Sequence, residues 1–372
     1  MEMNFIKKYA ITRMLRYASH QSDENIIRMI DIANKYFIKS EKVRWEAEKI
    51  RRIFVEHQPG AQLAKNTFSR ISKQSLDCVI QNFFINAAVI GSQRQEQLRK
   101  ELNISLPWFF VISPTARCNL TCVGCYAGNY SKQEDLSFEL VDRIFNEAKD
   151  LGIYFVTVSG GEPFMWPHLL DIMEKHHDMF FQIYTNGTLI TKDVANRLGK
   201  LGNAAPAISI EGFEKETDAR RGEGTFKRIM EAMDNLRNAG VLFGFSATPT
   251  KLNIETLMSD EFIDLMIEKG CSIGWFFQYV PIGRKPDVSL MATPEQRFRL
   301  RRRSIEIRKT KPIFIGDFWN DGPYVGGCIC GARQGGYFHI NCHGDVEPCV
   351  FLQFSVDNIK DKKLIDVIQS PF

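Results

Sequence analysis

Three cysteines stand at a spacing that can hold an iron–sulfur cluster. Cys118, Cys122 and Cys125 form a CxxxCxxC pattern directly after an apolar, strand-like stretch. A [4Fe–4S] cluster is usually held by four thiolates, so three closely spaced thiolates can bind three irons and leave the fourth open. An open coordination position is typical of a catalytic metal centre. The alternatives are buried thiols or a zinc site, which would need a fourth ligand.

A glycine-rich turn with one carboxylate follows the second strand-like run. Its residues are Ser159, Gly160, Gly161, Glu162 and Pro163. Paired glycines let the backbone approach a ligand closely, and a glutamate can bind an ammonium group. An ordinary loop is the structural alternative for this turn taken alone.

Further polar turns follow later strand-like runs, at positions 185–188, 209–212, 218–226 and 278–284. The candidate binding residues within them are Asn186, Ser209, Glu211 and Arg221. The carboxyl ends of parallel strands meet at one edge of a sheet, where α/β proteins gather their sites. For each turn, a loop or capping role is the alternative to ligand contact.

The C-terminal part of the chain carries a second group of cysteines. Cys328, Cys330, Cys342 and Cys349 lie within 22 residues. A hairpin is predicted there, with strands at 337–341 and 346–351. Four thiols can ligate a second iron–sulfur cluster; zinc is the rival occupant, and unligated cysteines are the remaining alternative.

Apolar runs and amphipathic stretches alternate between these motifs. Strands are predicted at 109–112, 154–158, 180–184, 207–210, 242–246 and 273–277, and helices near 137–150, 191–200, 225–239 and 254–268. Six β/α units in sequence predict a parallel sheet covered by helices. Periodicity alone does not separate a barrel from an open doubly wound sheet.

The first hundred residues differ in charge from the rest. Residues 1–100 hold 18 Lys/Arg against 10 Asp/Glu, while the whole chain carries +4. The helical pattern of residues 1–103 and the basic stretch at 5–9 suit an acidic partner, an anionic substrate or peripheral membrane contact, or simply a solvated face. No nucleic-acid partner is expected. Nine cysteines and the lack of a secretory signal predict a cytoplasmic protein with metal ligation rather than disulfides.

The cysteine triplet followed by the Gly-Gly-Glu-Pro turn resembles the radical S-adenosylmethionine (SAM) superfamily. In that family the open iron binds the amino acid end of SAM, and an electron from the cluster cleaves SAM to a 5′-deoxyadenosyl radical. The resemblance implies that the turn binds the amino group of SAM, with further contacts from Asn186, Ser209, Glu211 and Arg221. One departure is Gly124, which stands where many members have an aromatic residue near the adenine.

The resemblance also implies the architecture. A partial (β/α)6 barrel is expected over 104–315, preceded by a helical region over 1–103 and followed by an extension over 316–372. The tail cysteines resemble the opening of a SPASM/twitch extension, which holds auxiliary Fe–S clusters. A full extension continues with a second cysteine group, which is lacking before Phe372, so a short version or a truncated chain is expected.

We therefore expect a radical SAM enzyme, of oxidoreductase or transferase type, that receives electrons from a protein such as ferredoxin or flavodoxin. Its substrate is expected to be a peptide, a protein or a tetrapyrrole-type cofactor. The alternatives are adenosyl transfer to a lipid, and a non-enzymatic Fe–S electron carrier or zinc-binding protein.

Overall fold

One ten-stranded sheet runs through the protein, for which the computed structural model describes residues 22–36, 41–128, 135–332 and 335–370. Its strands are β1 (Phe109–Ile112), β2 (Phe155–Val158), β3 (Phe180–Thr185), β4 (Ala204–Ser209), β5 (Gly244–Ala247), β6 (Ile273–Phe276), β7 (Phe314–Asp317), β8 (His339–Ile340), β9 (Asp345–Glu347) and β10 (Asp357–Asn358). The strand order is β10-β9-β8-β1-β2-β3-β4-β5-β6-β7.

Strands β1 to β7 are all parallel, which confirms the predicted α/β class. The six predicted strands are present, and β4 begins three residues before the predicted position 207. The seventh strand, β7, was not predicted, because Asp317 and the polar residues after it suggested a loop. Its pairing with β6, from Ile273↔Phe314 to Phe276↔Asp317, satisfies the backbone of this segment.

Helices cover the outer face of the sheet and the amino-terminal end of the strands. They are α1 (Asp23–Tyr36), α2 (Glu41–Val55), α3 (Pro59–Arg70), α4 (Lys73–Cys78), a π-helix (Val79–Gly91), α5 (Ser92–Leu102), α6 (Phe138–Asp150), α7 (Leu169–Lys175), α8 (Lys192–Leu201), α9 (Glu214–Arg221), α10 (Thr225–Asn238), α11 (Ile254–Met258), α12 (Asp260–Lys269), α13 (Pro294–Thr310) and α14 (Leu364–Ile368).

One predicted helix and one predicted turn differ from the structure. The helix expected near 254–268 is divided into α11 and α12 at Ser259, whose side chain accepts a hydrogen bond from the Phe262 N–H at 3.2 Å and so begins a new helix. The turn expected over 218–226 is helical up to Arg221 and turns only at Gly222.

The main core lies between the sheet and its helices. Phe110 on β1, Phe145 on α6 and Phe181 on β3 are almost fully buried, and their rings meet at 6.2 and 5.5 Å. Burying one such side chain contributes roughly 1.5–3 kcal/mol. Because side chains alternate along a strand, this packing turns the neighbouring residues of each strand toward the inner face.

The N-terminal helical region closes the amino-terminal end of the sheet. Phe83 of the π-helix contacts the rings of Trp108, Phe155 and Phe180, with centroids 5.5–5.7 Å apart. The Asn82 side-chain amide donates to the Met179 carbonyl at 3.0 Å. This end of the barrel is therefore filled by side chains, and the site must open at the other end. The basic stretch at 5–9 lies outside the described residues.

The C-terminal extension continues the same sheet. Strand β8 pairs parallel with β1 and antiparallel with β9, so the predicted hairpin is confirmed. The Ser113 hydroxyl and His339 Nε2 lie 2.8 Å apart, and His339 Nδ1 lies 2.7 Å from a Glu347 carboxylate oxygen. This buried chain ties the extension to the end of β1, across the predicted boundary at 315/316, and that boundary stays a prediction.

No helix among the described residues is long and apolar enough to cross a membrane. Residues 371–372, the chain end that concerns the choice between a short extension and a truncated chain, also lie outside the described residues.

Candidate active site

The three-cysteine loop between β1 and α6 rests on the glycine turn after β2. The Gly161 N–H donates to the Thr115 carbonyl at 2.9 Å, and the Glu162 N–H donates to the Arg117 carbonyl at 2.8 Å. A Cβ atom added to Gly161 would lie 2.2 Å from the Arg117 carbonyl oxygen. Only glycine fits this close approach, so the turn fixes the backbone that leads into Cys118.

Glu162 joins the turns after β2 and β3. Its carboxylate is fully buried and accepts hydrogen bonds from the Thr185 hydroxyl at 2.6 Å, the Asn186 N–H at 2.7 Å and the Phe164 N–H at 3.2 Å. Burial raises the pKa of Glu162 to about 6, and these hydrogen bonds oppose the rise. Three donors hold the carboxylate, so Glu162 positions the turn that carries Asn186.

Asn186 reaches from the β3 turn to the cysteine loop. Its side-chain amide donates to the Asn119 side chain at 2.8 Å and lies 3.9 Å from the Cys118 sulfur. Asn119 in turn donates to the Thr188 hydroxyl at 2.8 Å. The 185–188 turn therefore lies beside the first cysteine, as the sequence predicted from the strand ends.

The end of α9 holds the middle of the cysteine loop. The Val123 N–H donates to the Arg220 carbonyl at 2.9 Å, and Arg220 Nε donates to the Val123 carbonyl at 3.2 Å. Arg220 and Arg221 both donate to the buried Glu211 carboxylate, Arg221 at 2.9 and 2.5 Å. This ion pair joins the end of β4 to the segment between Cys122 and Cys125.

Glu211 and Arg221, two of the residues predicted to contact SAM, are bound to each other instead. Glu211 also accepts from the Thr248 N–H at 3.1 Å, so its oxygens are directed at protein groups. Burial opposes the charge of Arg221, but the nearby Glu211 and Cys122 raise its pKa nonetheless. Ser209 lies close by, with its hydroxyl 3.2 Å from that of Ser246.

The loop after β6 packs on the last part of the cysteine loop. The Arg284 N–H donates to the Cys125 carbonyl at 2.9 Å, and a Cβ on Gly283 would lie 2.2 Å from the same oxygen. The Tyr279 ring lies against Gly124, where an added Cβ would meet Tyr279 Cε2 at 2.6 Å. The departure from the family pattern at Gly124 therefore makes room for an aromatic ring from another loop.

The donor set of the cysteine loop fits an iron–sulfur cluster. Three thiols share one loop, and Cys118 lies near enough to Cys122 and Cys125 for their charges to interact. Burial raises the pKa of Cys118, whereas the hydrogen bond from the Leu120 N–H opposes the rise. Among the described residues, no three His, Cys, Asp or Glu side chains converge as a site for a single metal ion.

The tail cysteines are not all together. The Cys328 and Cys330 sulfurs lie 3.2 Å apart, and Cys349 interacts electrostatically with both. Cys342 is buried at the turn between β8 and β9, whereas Cys330 bridges Tyr337 at the opposite end of β8. The structure therefore brings together three of the four predicted tail ligands and places Cys342 apart.

Sequence reasoning missed the chain formed by Ser113, His339 and Glu347. The predicted hairpin places His339 and Glu347 opposite each other, so that pair was within reach of the sequence. The pairing of β8 with β1, which brings Ser113 to the histidine, had no local signal. Tyr126, which follows the third cysteine, contacts the glycine turn: its hydroxyl lies 2.8 Å from that of Ser159.

Comparison with known proteins gives the family. The sequence model of the Radical SAM superfamily matches residues 112–266. The mycofactocin maturase MftC of Mycolicibacterium smegmatis is 31% identical over 273 residues, which are 69% of this chain and 67% of that protein. The AdoMet-dependent heme synthase of Methanosarcina barkeri is 26% identical over 283 residues, 68% of this chain and 79% of that one.

Solved structures share the fold. SuiB of Streptococcus suis superimposes with a TM-score of 0.62 at 19% identity, covering 100% of this chain and 82% of SuiB. Native anSMEcpe with bound AdoMet gives a TM-score of 0.57 at 17% identity, covering 71% of this chain and 80% of that one.

These likenesses confirm the predicted partial barrel, and they confirm that the protein is an enzyme whose cofactors are a [4Fe–4S] cluster and SAM. The chain belongs to the radical SAM superfamily.

Proposed function

We propose that Cys118, Cys122 and Cys125 hold the catalytic cluster and that the enzyme modifies a peptide substrate. The observation that carries the assignment is the single loop that bears all three thiols and is held by the turns after β2, β3 and β6 and by α9. When bound, the cluster supplies the electron that cleaves SAM to the 5′-deoxyadenosyl radical, which abstracts a hydrogen atom from the substrate.

The residues around the loop have separate roles in this proposal. The Asn186 amide and the Arg221 guanidinium stabilise negative charge on the thiolates. The Gly160 and Gly161 carbonyls accept from the SAM amino group in this proposal, and Ser209 offers a hydroxyl to SAM. Pro163 shapes the turn, because its own carbonyl already accepts from the Trp166 N–H at 3.0 Å. Glu162 and Glu211 act mainly by positioning, because their oxygens already accept hydrogen bonds from the protein.

A peptide substrate is supported by the relatives. The maturase MftC is 31% identical, and the fold is shared with SuiB, whose structure is known with a bound precursor peptide. A tetrapyrrole is the second candidate, because the heme synthase of Methanosarcina barkeri is matched over 79% of its length. An absorbance titration with Fe-coproporphyrin III separates the two: a spectral shift at equimolar ligand favours the tetrapyrrole, and no shift favours the peptide.

The tail is proposed to hold an auxiliary cluster. Cys328, Cys330 and Cys349 lie together around Tyr337, on which all three act electrostatically. Cys342 is not among the ligands in this proposal because it lies at the turn of the hairpin, at the other end of β8 from Tyr337. We also propose domain boundaries at 103/104 and 315/316. Limited proteolysis of the enzyme with its clusters bound tests these boundaries.

The proposed electron donor is a ferredoxin or flavodoxin, and the basic surplus of residues 1–100 would suit a donor with an acidic surface. Peripheral membrane contact through the same region is the competing proposal. Binding to flavodoxin and binding to anionic vesicles are measured separately, and the one that binds identifies the partner. A fall in that binding at higher ionic strength shows that the attraction is electrostatic.

The test of the main proposal is anaerobic reconstitution with iron and sulfide, followed by dithionite and SAM. Iron content and 5′-deoxyadenosine are measured for the wild type and for the Cys118→Ala/Cys122→Ala/Cys125→Ala variant. We expect deoxyadenosine from the wild type alone. Wild-type protein that binds iron but forms no deoxyadenosine, or a variant that still forms it, would contradict the proposal.

A further inference from the structure

Six aromatic side chains form a continuous series of ring contacts at the carboxyl-terminal end of the sheet. In order of contact they are Tyr126, Phe351, Trp319, Phe318, Phe277 and Tyr184. Consecutive ring centroids are 5.1–5.3 Å apart. Tyr126 also acts electrostatically on Tyr184, so the two ends of the series come near each other.

The series lies on the inner face of the sheet. Phe181 and Ile183 of β3 are fully buried on the helix side, which turns Tyr184 to the opposite face. Five separate segments supply the rings: the cysteine loop, β3, the segments after β6 and after β7, and the extension. All six side chains remain partly accessible, whereas the aromatic residues of the outer core are not.

Two polar atoms beside the rings have no hydrogen-bond partner. Trp275 stacks with Phe277 at 6.0 Å, and its indole N–H is buried without an acceptor. Within the described ranges, no hydrogen bond reaches the Tyr184 hydroxyl. Buried donors are nearly always paired in native proteins, so the buried, unpaired N–H of Trp275 indicates a place that a ligand completes. The Tyr184 hydroxyl lies on the same aromatic surface, where a ligand can use it.

We propose that this aromatic series binds a flat aromatic group of the substrate, with Tyr184 and Trp275 donating hydrogen bonds to an acceptor atom on it. The inference rests on the proposed function, and it specifies the chemistry of the substrate. Edge-to-face and tilted contacts between consecutive rings of the series leave ring faces on which a further ring can stack. The Trp275 N–H can only donate and the Tyr184 hydroxyl can donate as well as accept, so an acceptor atom on the ligand suits both.

The aromatic series lies next to the cysteines that are proposed to hold the catalytic cluster, where a substrate must bind to react. Tyr126 follows Cys125 directly, and Phe351 lies two residues after Cys349. A ring bound between Tyr126 and Phe351 lies beside the cysteine loop. This is the end of the barrel opposite to the one that the N-terminal helices close. An aromatic peptide side chain and a tetrapyrrole share this chemistry, and the experiment separates them.

The first test measures binding to the reconstituted enzyme with SAM and without reductant. Saturation-transfer NMR compares N-acetyltyrosinamide with N-acetylleucinamide, and an absorbance titration uses coproporphyrin III. Preferential transfer to the tyrosine ring supports the site with a side chain as ligand, and porphyrin binding supports it with a macrocycle. Equal transfer to the leucine probe together with no porphyrin binding would overturn the proposal.

The second test uses variants. Phe318→Leu should raise the Kd of the bound probe about 2- to 12-fold, the range expected for one aromatic contact. Phe314→Leu is the matched control, because Phe314 lies at the other end of β7 and is 43% exposed. Tyr184→Phe keeps the ring and should weaken binding only of probes with an acceptor atom. Unchanged Kd values in both Phe318→Leu and Tyr184→Phe would overturn the proposal.

Deoxyadenosine formation in the same samples keeps the two proposals apart. Wild-type enzyme that cleaves SAM but binds no aromatic probe contradicts the aromatic site and leaves the proposed function intact. Wild-type enzyme that cannot cleave SAM contradicts the proposed function itself.

Discussion

The two cysteine groups of this protein are held in different ways. Backbone and side-chain contacts from the turns after β2, β3 and β6 and from α9 hold the Cys118–Cys125 loop. The tail thiols are linked within their own segment, as by the Gly331 N–H donating to the Pro348 carbonyl at 2.9 Å, and Cys328 is exposed. Their contact with the barrel runs through Tyr337, whose ring stacks on that of Phe109 at 5.3 Å.

This difference indicates different demands on the two sites. A catalytic centre must hold its ligands in one geometry, and contacts from several rigid elements provide that preorganisation. A site whose ligands lie on one short segment can open locally without unfolding the rest. We therefore expect the cysteine loop to depend on the whole barrel and the tail group to depend on its own hairpin.

The largest expected effect separates the two groups directly. Cys122→Ala should abolish deoxyadenosine formation, because the catalytic loop loses one of its three thiolates. Cys349→Ala should retain SAM cleavage while iron content falls from about eight to about four per chain. Iron analysis and chromatography of the nucleoside measure both. Complete loss of SAM cleavage in Cys349→Ala, with the first cluster still present, would show that the two groups are not independent.

The next effect concerns the ion pair behind the cysteine loop. Glu211→Gln leaves Arg220 and Arg221, whose side chains are 16% and 10% exposed, without their carboxylate. Breaking a buried pair in this way costs about 3–5 kcal/mol, so urea denaturation should show a marked loss of stability together with reduced iron retention.

The matched control for that variant is Glu255→Gln, which breaks a pair with Arg299 in which both side chains are more than half exposed. Its stability should not change measurably. Equal effects of the two substitutions would contradict the role assigned to Glu211.

The anchor of the extension should show a smaller effect. His339→Leu leaves the Ser113 hydroxyl and the Glu347 carboxylate without their shared partner, which costs about 1–3 kcal/mol in the free energy of unfolding. His177→Leu is the control because His177 is exposed. If His339→Leu unfolds the extension alone, two transitions appear in urea; a single shifted transition shows that β8 is part of the barrel's cooperative unit.

The smallest effect tests the contact between Tyr279 and the cysteine loop. Gly124→Ala places a side chain at φ +64° and against the Tyr279 ring, and should cost about 1–2 kcal/mol. Gly224→Ala has a similar φ of +74° but no atom within 4 Å, so it measures the backbone strain alone. Thermal unfolding and iron retention compare the two, and equal values would mean that the Tyr279 contact adds nothing.

The fold was predictable to the extent that it follows from short stretches. The six β/α units, the hairpin near 337–351 and the capped helices each depend on residues close in sequence. Strand β7 was missed because only two of its four residues, Phe314 and Ile315, are large and apolar, and because Asp317 begins a polar stretch typical of a loop. The site was predictable at the level of motifs, because strand ends meet at one edge of the sheet.

The sequence by itself determined the thiols, the glycine–glutamate turn and the alternation of strands and helices, since spacing and periodicity are local properties. Only the tertiary structure decided which predicted residues bind each other. Glu211 and Arg221 form an ion pair, Cys342 lies apart from the other tail thiols, and rings from five segments come into contact. Arg220 and Val123 are 97 residues apart, and such pairs depend on how the whole sheet is assembled, which no local pattern encodes.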